Sequence, residues 1–290
     1  MRKVMIVAVV FVLFGALVLG ADAGRIVWTS NRAGGNWFNL WGIDPDGLNV
    51  MQITTDFGTA LHPAISPDGK KIAFSSPDTG TWYIYLIDSD GKNLEQFTDF
   101  SSAVPDWSPD GTRLVFNSDH DDEPKDTPDV WAMNVDGTGL TEFVDNPPVA
   151  DFNPQWSPDG KYILFTTDRH KKYDLYLIEL ATGELTRLTP LTTNEWNGRW
   201  SPDGSKIAFV SDRFGQPDLF IMNSDGTGIK RLTTSKARDS EPAWSPDGTQ
   251  LVFVSNRTGY TDLWIINADG TGLHQLTNDK AMDRFPDWGP

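Results

Sequence analysis

Trp107, Trp156, Trp200 and Trp244 each precede the tetrapeptide Ser-Pro-Asp-Gly, Ile65 precedes a fifth copy, and Trp288 stands in the same phase near the C-terminus. The spacings between these six positions are 42, 49, 44, 44 and 44 residues. A period of this length, built from short apolar runs, is the sequence signature of a β-propeller, each repeat being one four-stranded blade. Length alone would suggest about two domains. The repeats fill the chain and make it one, residues 24–290.

Each repeat can be read strand by strand. An innermost strand ends at the tryptophan, and Ser-Pro-Asp-Gly turns the chain: proline presets φ at the second turn position and glycine tolerates the positive φ that closes a tight hairpin. The second strand carries a fixed aromatic (Trp28, Phe74, Phe116, Phe165, Phe209, Phe253) and the third another (Trp41, Tyr85, Trp131, Tyr176, Phe220, Trp264). Alternating burial on pleated strands produces such columns. Asp-Gly turns and Leu-Thr pairs such as Leu232-Thr233 mark the short outer strand. The first copy begins at its second strand, from Arg25, and the chain ends on an innermost strand at Trp288. The two ends therefore complete one blade, and the fold expected is an all-β, six-bladed propeller closed without a free sheet edge.

Glu241-Pro242-Ala243-Trp244-Ser245-Pro246-Asp247-Gly248 through Asn267-Ala268-Asp269-Gly270-Thr271-Gly272 resembles, nearly word for word, the repeat of the TolB-type propeller family, also called PD40. The resemblance runs from Arg25 to Pro290 and covers the propeller portion. The first blade strand follows directly on the leader, leaving no room for the α/β domain that precedes the propeller in TolB. The resemblance implies an envelope protein that binds protein partners. The same repeat occurs in propellers attached to serine peptidases and in a pectin-fragment lyase family, so fold does not carry activity with it. No Gly-His or Trp-Asp dipeptide occurs, which separates the chain from WD40 repeats.

Residues 1–23 read as a signal peptide: basic Arg2 and Lys3, an apolar run from Val4 to Gly20, and Ala21-Asp22-Ala23 as a cleavage site. The competing reading is a retained anchor, because 17 apolar residues are at the bottom of the spanning range. Cleavage leaves a protein with no membrane span, periplasmic or secreted. The chain has no cysteine, so disulfides, thiolate metal sites and thiol catalysis are excluded. A net charge of -16 excludes nucleic acid, which would be repelled rather than neutralised.

The Ser-Pro-Asp-Gly and Asp-Gly-Thr-Gly turns share one face with both chain ends. Asp44-Pro45-Asp46-Gly47 has a calcium-loop flavour, but a plain turn accounts for it. The variable loops lie on the opposite face, where binding on rigid scaffolds usually resides. On that face two positions change together. Arg32, Arg169, Arg213 and Arg257 end the second strand in blades one, four, five and six, and those same blades begin their innermost strand with Asp283, Asp151, Glu195 and Asp239. Blades two and three have Asp78 and His120 in place of the arginine, and Ala60 and Ser102 in place of the acid. The matching predicts an Arg–carboxylate contact within each blade, read as a structural ion pair on an exposed rim worth about 0–1 kcal/mol.

Blades two and three thus form an atypical sector holding His62, Asp78, Asp119, His120, Asp121, Asp122 and Glu123. Carboxylates and imidazoles together suit a basic partner residue or a divalent cation, and a solvated acidic loop is the plainer alternative. No H-E-x-x-H, G-x-S-x-G or H-x-H occurs, and the paired glycines at Gly226/Gly228 and Gly270/Gly272 are hairpin turns. The expectation is an exported, non-enzymatic, monomeric scaffold without metal or cofactor. Its partner is an envelope protein, basic or a lipoprotein. Two alternatives stand beside it: a glycan or small-ligand site using Trp37 and Trp196 on the loop face, and a metal-assisted hydrolase or lyase centred on His62, Asp78 and His120.

Overall fold

The structure, a computed structural model, describes residues 24–290 except 36, 56, 79, 121–126, 145–147 and 190–191. Its regular elements are all strands, 24 among the described residues, and they form six four-stranded antiparallel sheets. No helix of the described residues is long and apolar enough to cross a membrane. The leader, residues 1–23, lies outside the described residues.

Blade five shows how the repeat builds a sheet. Its strands are Glu195–Trp200, Lys206–Ser211, Asp218–Asn223 and Lys230–Arg231, from the centre outwards. At the first turn Gly204 has φ +71° and its N–H donates to the Ser201 carbonyl at 2.8 Å. The Ser201 hydroxyl donates to Asp203 Oδ1 at 2.6 Å and accepts from the Lys206 N–H at 2.9 Å. The Ser201 hydroxyl, with the Ser205 N–H and hydroxyl, holds the Asp203 carboxyl below its ordinary range. Each letter of Ser-Pro-Asp-Gly thus has a conformational task. At the outer edge, Thr233 of the Leu-Thr pair accepts from the Leu219 N–H through its hydroxyl at 3.0 Å. Thr54, Thr98, Thr189 and Thr277 do the same at 2.9 Å in four other blades. A strand of two residues is thereby lengthened by a side chain.

The core lies between blades rather than inside them. Each of six apolar clusters draws on two neighbouring sheets, as where Leu164, Leu175 and Leu177 of blade four meet Trp200, Phe209 and Phe220 of blade five. The repeated tryptophan is the wedge at five of the six interfaces, and Ile65 takes its place between blades one and two. Trp107 and Trp244 also donate Nε1–H to a carbonyl of the preceding blade, Ala64 and Arg199 respectively, both at 3.0 Å.

Blade one closes the ring. The C-terminal strand Asp283–Gly289 pairs antiparallel with Arg25–Ser30, placing Ile26 opposite Trp288 and Ser30 opposite Asp283. Trp288, Ile26 and Trp28 then pack against Ala243, Val252 and Ile265 of blade six.

Candidate functional site

The innermost strand of every blade carries a bulge at the same place. His62, Val104, Asn153, Asn197, Glu241 and Phe285 all have positive φ, between 49° and 56°, and the register with the second strand shifts there in all six sheets. For a β-branched residue such as Val104 this conformation is costly, on the order of 1–3 kcal/mol. The bulge turns six side chains of five different kinds onto the axis. They line a central channel of about 300 Å³, joined two residues further on by Ala64, Asp106, Arg199 and Asp287.

The channel concentrates charge. Asp106 accepts the Trp156 N–H of the next blade at 2.9 Å and Asp287 accepts the Ile65 N–H at 2.7 Å. Burial raises both carboxyls above their ordinary range, Asp106 to about 7. Glu241 bonds Arg284 at 2.8 Å and the Phe285 N–H at 2.6 Å, both in blade one. Burial, with the Arg284 and Arg199 cations nearby, pushes the His62 imidazole down to about 3, so it is neutral. Its ring lies 4.1 Å from that of Phe285.

Nearer the loop-face rim, Arg32 lies 2.7 Å from Asp283, Arg169 3.2 Å from Asp151, Arg213 3.3 Å from Glu195 and Arg257 2.8 Å from Asp239. The expectation that such pairs are exposed is wrong. All four carboxylates are 0% exposed and the four arginine side chains only 12–19%. Each guanidinium is laid over the two aromatic columns of its own blade, Arg213 at 4.5 Å from the Phe220 ring and Arg257 at 4.6 Å from that of Trp264. A second set of buried acids went unread: Asp174 and Asp218, each opening a third strand, accept Arg187 and Arg231 at 2.8 and 2.6 Å. The repeated Asp-Leu at that strand start was the available signal.

Blades two and three solve the same packing problem without charge. Phe57 stands edge-on to Phe74 and Tyr85, with ring centroids 5.4 and 4.9 Å away. In blade three Phe100 lies 6.1 Å from Phe116, with the His120 ring tilted against it at 4.3 Å and edge-on to Trp131 at 5.6 Å. With no guanidinium to neutralise, Ala60 and Ser102 suffice where the other blades bury an acid. His62 and His120 therefore serve different spaces, the channel and an outer groove shared by Trp82, Phe100 and Asp119. Asp78 ends a strand, its backbone opposite Thr81. Asp121, Asp122 and Glu123 lie outside the described residues. Among the described residues no group of three His, Asp or Glu could hold a metal ion. At the suspected calcium turn, Asp44 accepts Asn49 Nδ2 at 2.6 Å and Asp46 accepts the Leu48 N–H at 2.9 Å, which is the work of a turn. Trp196 is half-buried at the channel mouth, whereas Trp37 is 61% exposed.

The six-bladed ring and its channel can be set beside known proteins. TolB from Acinetobacter baumannii is 27% identical and superposes with a TM-score of 0.81, over 92% of this chain and 67% of that one. A protein of Agrobacterium tumefaciens assigned as a TolB is 21% identical with a TM-score of 0.71, over 93% and 100% of the two chains. The oligogalacturonate lyase of Vibrio parahaemolyticus is 18% identical with a TM-score of 0.53, over 78% and 71%, a likeness of fold alone. No curated protein sequence matches the chain. The family model described as the TolB beta propeller domain, PD40, matches residues 18–189 and 125–242. With the repeat, the ring closure and that match in agreement, the chain belongs to the TolB β-propeller family.

Proposed function

We propose that this chain is an exported, non-enzymatic propeller whose loop face docks a protein partner in the cell envelope. One observation carries the reading: the four exposed aromatic side chains among the described residues, Trp37, Tyr173, Phe214 and Tyr260, all stand in loops of that one face. They belong to blades one, four, five and six, and exposed aromatics around a rigid mouth are what a protein interface uses as anchors. The face is also polarised in charge. Lys171, Lys172, Lys236, Arg238 and Lys280 are exposed in loops of blades four to six, whereas blades two and three contribute Asp99 and Asp119. Such a dipole orients a partner more than it tightens it.

Export is supported by the basic start, apolar run and Ala-x-Ala of residues 1–23. The TolB likeness favours a binding role. The test is capture from envelope extract of the host with the native protein and with a Trp37→Ser, Phe214→Ser, Tyr260→Ser variant. A partner retained by the native protein and lost by the variant, with unchanged melting, is the expected outcome. Equal capture by both would move the interface off the loop face. Reversing the acidic edge at Asp99→Lys should slow association in a salt-dependent way and leave folding intact.

A further inference from the structure

We propose that the central channel binds a carboxylate, held between the Arg199 guanidinium and the His62 imidazole. Arg199 occupies a position whose task elsewhere in the ring is to accept a hydrogen bond. Asp287, Asp106 and Gln155 each take the N–H of the following blade, from Ile65, Trp156 and Trp200, at 2.7, 2.9 and 2.7 Å. Where no such latch is formed, alanine fills the place, as at Ala64 and Ala243. An arginine is donor-only and cannot serve as the latch. Its presence therefore does not serve the latch.

Nor is Arg199 neutralised. Nη1 is buried without a hydrogen-bond partner, and no carboxylate oxygen of the described residues lies within the 4.0 Å of an ion pair. Arg199 is half-buried, with one guanidinium nitrogen shut off from water and unbonded, and a planar fork of donors is matched best by a carboxylate. His62 points to the same chemistry. Its Nδ1 is buried without a partner, and a neutral imidazole has one N–H to give. Of the other two arginines that line the channel, Arg284 is already engaged by Glu241 at 2.8 Å and Arg238 is exposed to water.

Asp106 and Asp287 line the same space, and the sign of the ligand follows from what surrounds them. Both are held by backbone N–H groups, both feel the Arg199 charge, and burial favours their protonated form. A divalent cation between them would sit against Arg199. An anion would meet a cation and an imidazole donor, and about 300 Å³ admits a small organic acid or the last residue of a peptide. The inference holds whether or not the loop face docks a protein.

The test is thermal melting of the full chain with propionate, propionamide, a hexapeptide with a free C-terminus, the same peptide amidated, and calcium chloride. A carboxylate at ten times its Kd should raise the melting midpoint by about 4 °C. Its amide should not. A response to propionate identifies a small acid as sufficient, and a response to the free-acid peptide alone identifies a chain terminus. Arg199→Met should weaken binding at least tenfold while the unliganded protein melts no lower than the native one. His62→Phe keeps a ring against Phe285 and removes the donor, so several-fold weaker binding is expected. In the native protein the His62 ring resonances should move on addition of the acid. No response to any carboxylate, an equal response in Arg199→Met, or stabilisation by calcium in place of acids would overturn the proposal.

Discussion

Removing one arginine from the loop-face rim tests how the blades are held shut. In blade six, Arg257 Nη2 donates to Asp239 Oδ1 and Oδ2 at 2.8 and 2.9 Å, and Nε donates to the Ser255 hydroxyl at 2.9 Å. The guanidinium lies over Trp264 and is 14% exposed, while Asp239 is 0% exposed. A surface pair of this kind would contribute about 0–1 kcal/mol. Here Arg257→Ala leaves a carboxylate buried without its partner, and the cost of breaking such a pair is about 3–5 kcal/mol. For a chain of this size that is a fall in melting midpoint of about 10 °C. Asp239→Ala alone should cost a similar amount. The double variant Asp239→Ala, Arg257→Met should recover more than half of the summed loss, because blade two closes with Ala60 and an apolar plug in the same places. Urea unfolding of the three variants, read as midpoint shifts at constant slope, gives the coupling directly. A single-variant cost below about 1 kcal/mol would refute the reasoning. So would a double-variant loss equal to the sum of the two single losses.

Three further expectations concern the axis, the closure and the leader. The raised carboxyl of Asp106 keeps its proton in the folded state up to about pH 7, whereas the unfolded chain gives it up near pH 4. Stability from this site is therefore present below about pH 4 and lost as pH rises through about 7. Asp106→Asn still accepts the Trp156 N–H, so its gain over the native protein should grow across that window to about 4 kcal/mol. The same difference at both ends of the window would show that proton linkage is not its origin. Deleting Asp283 to Pro290 removes the innermost strand of blade one and should lower the melting midpoint by about 10 °C or more. An unchanged melt would rule out the shared blade. Mass spectrometry of the protein from its native compartment should find a chain beginning near Gly24, and an intact Met1 in the membrane fraction would mean a retained anchor.

The scaffold was legible because its residues repeat. Trp200 and Trp244 wedge successive interfaces, Ser201 and Asp203 build one turn five times over, and any one copy predicts the next. The pairing of Arg257 with Asp239 could be read from the co-occurrence of two residue types. Its depth could not, because nothing in the pattern says that two aromatic columns roof the pair over. In blades two and three the missing acid and arginine suggested a special sector, whereas Phe57 and Phe100 had taken over the packing. The channel was illegible for the opposite reason. His62, Val104, Asn153, Asn197, Glu241 and Phe285 share a backbone conformation and, the two asparagines apart, no side-chain chemistry, so a search for repeated letters passes over them. The faint signal was the proline that follows five of the six, and then Asp106, Arg199 and Asp287 two residues beyond each bulge. In a repeat protein the scaffold lies where the copies agree, and the axis lies where they differ.

The central claim is that one face of the ring is the docking face, and site-directed photo-crosslinking in the living host tests it most directly. A benzophenone side chain placed at Trp37 or Tyr260, both exposed in loop-face segments, should give a discrete covalent adduct with an envelope protein. The same group at Val135 or Leu273, exposed at the turns of the opposite face, should give none. Adducts from the turn face with a silent loop face would contradict the account.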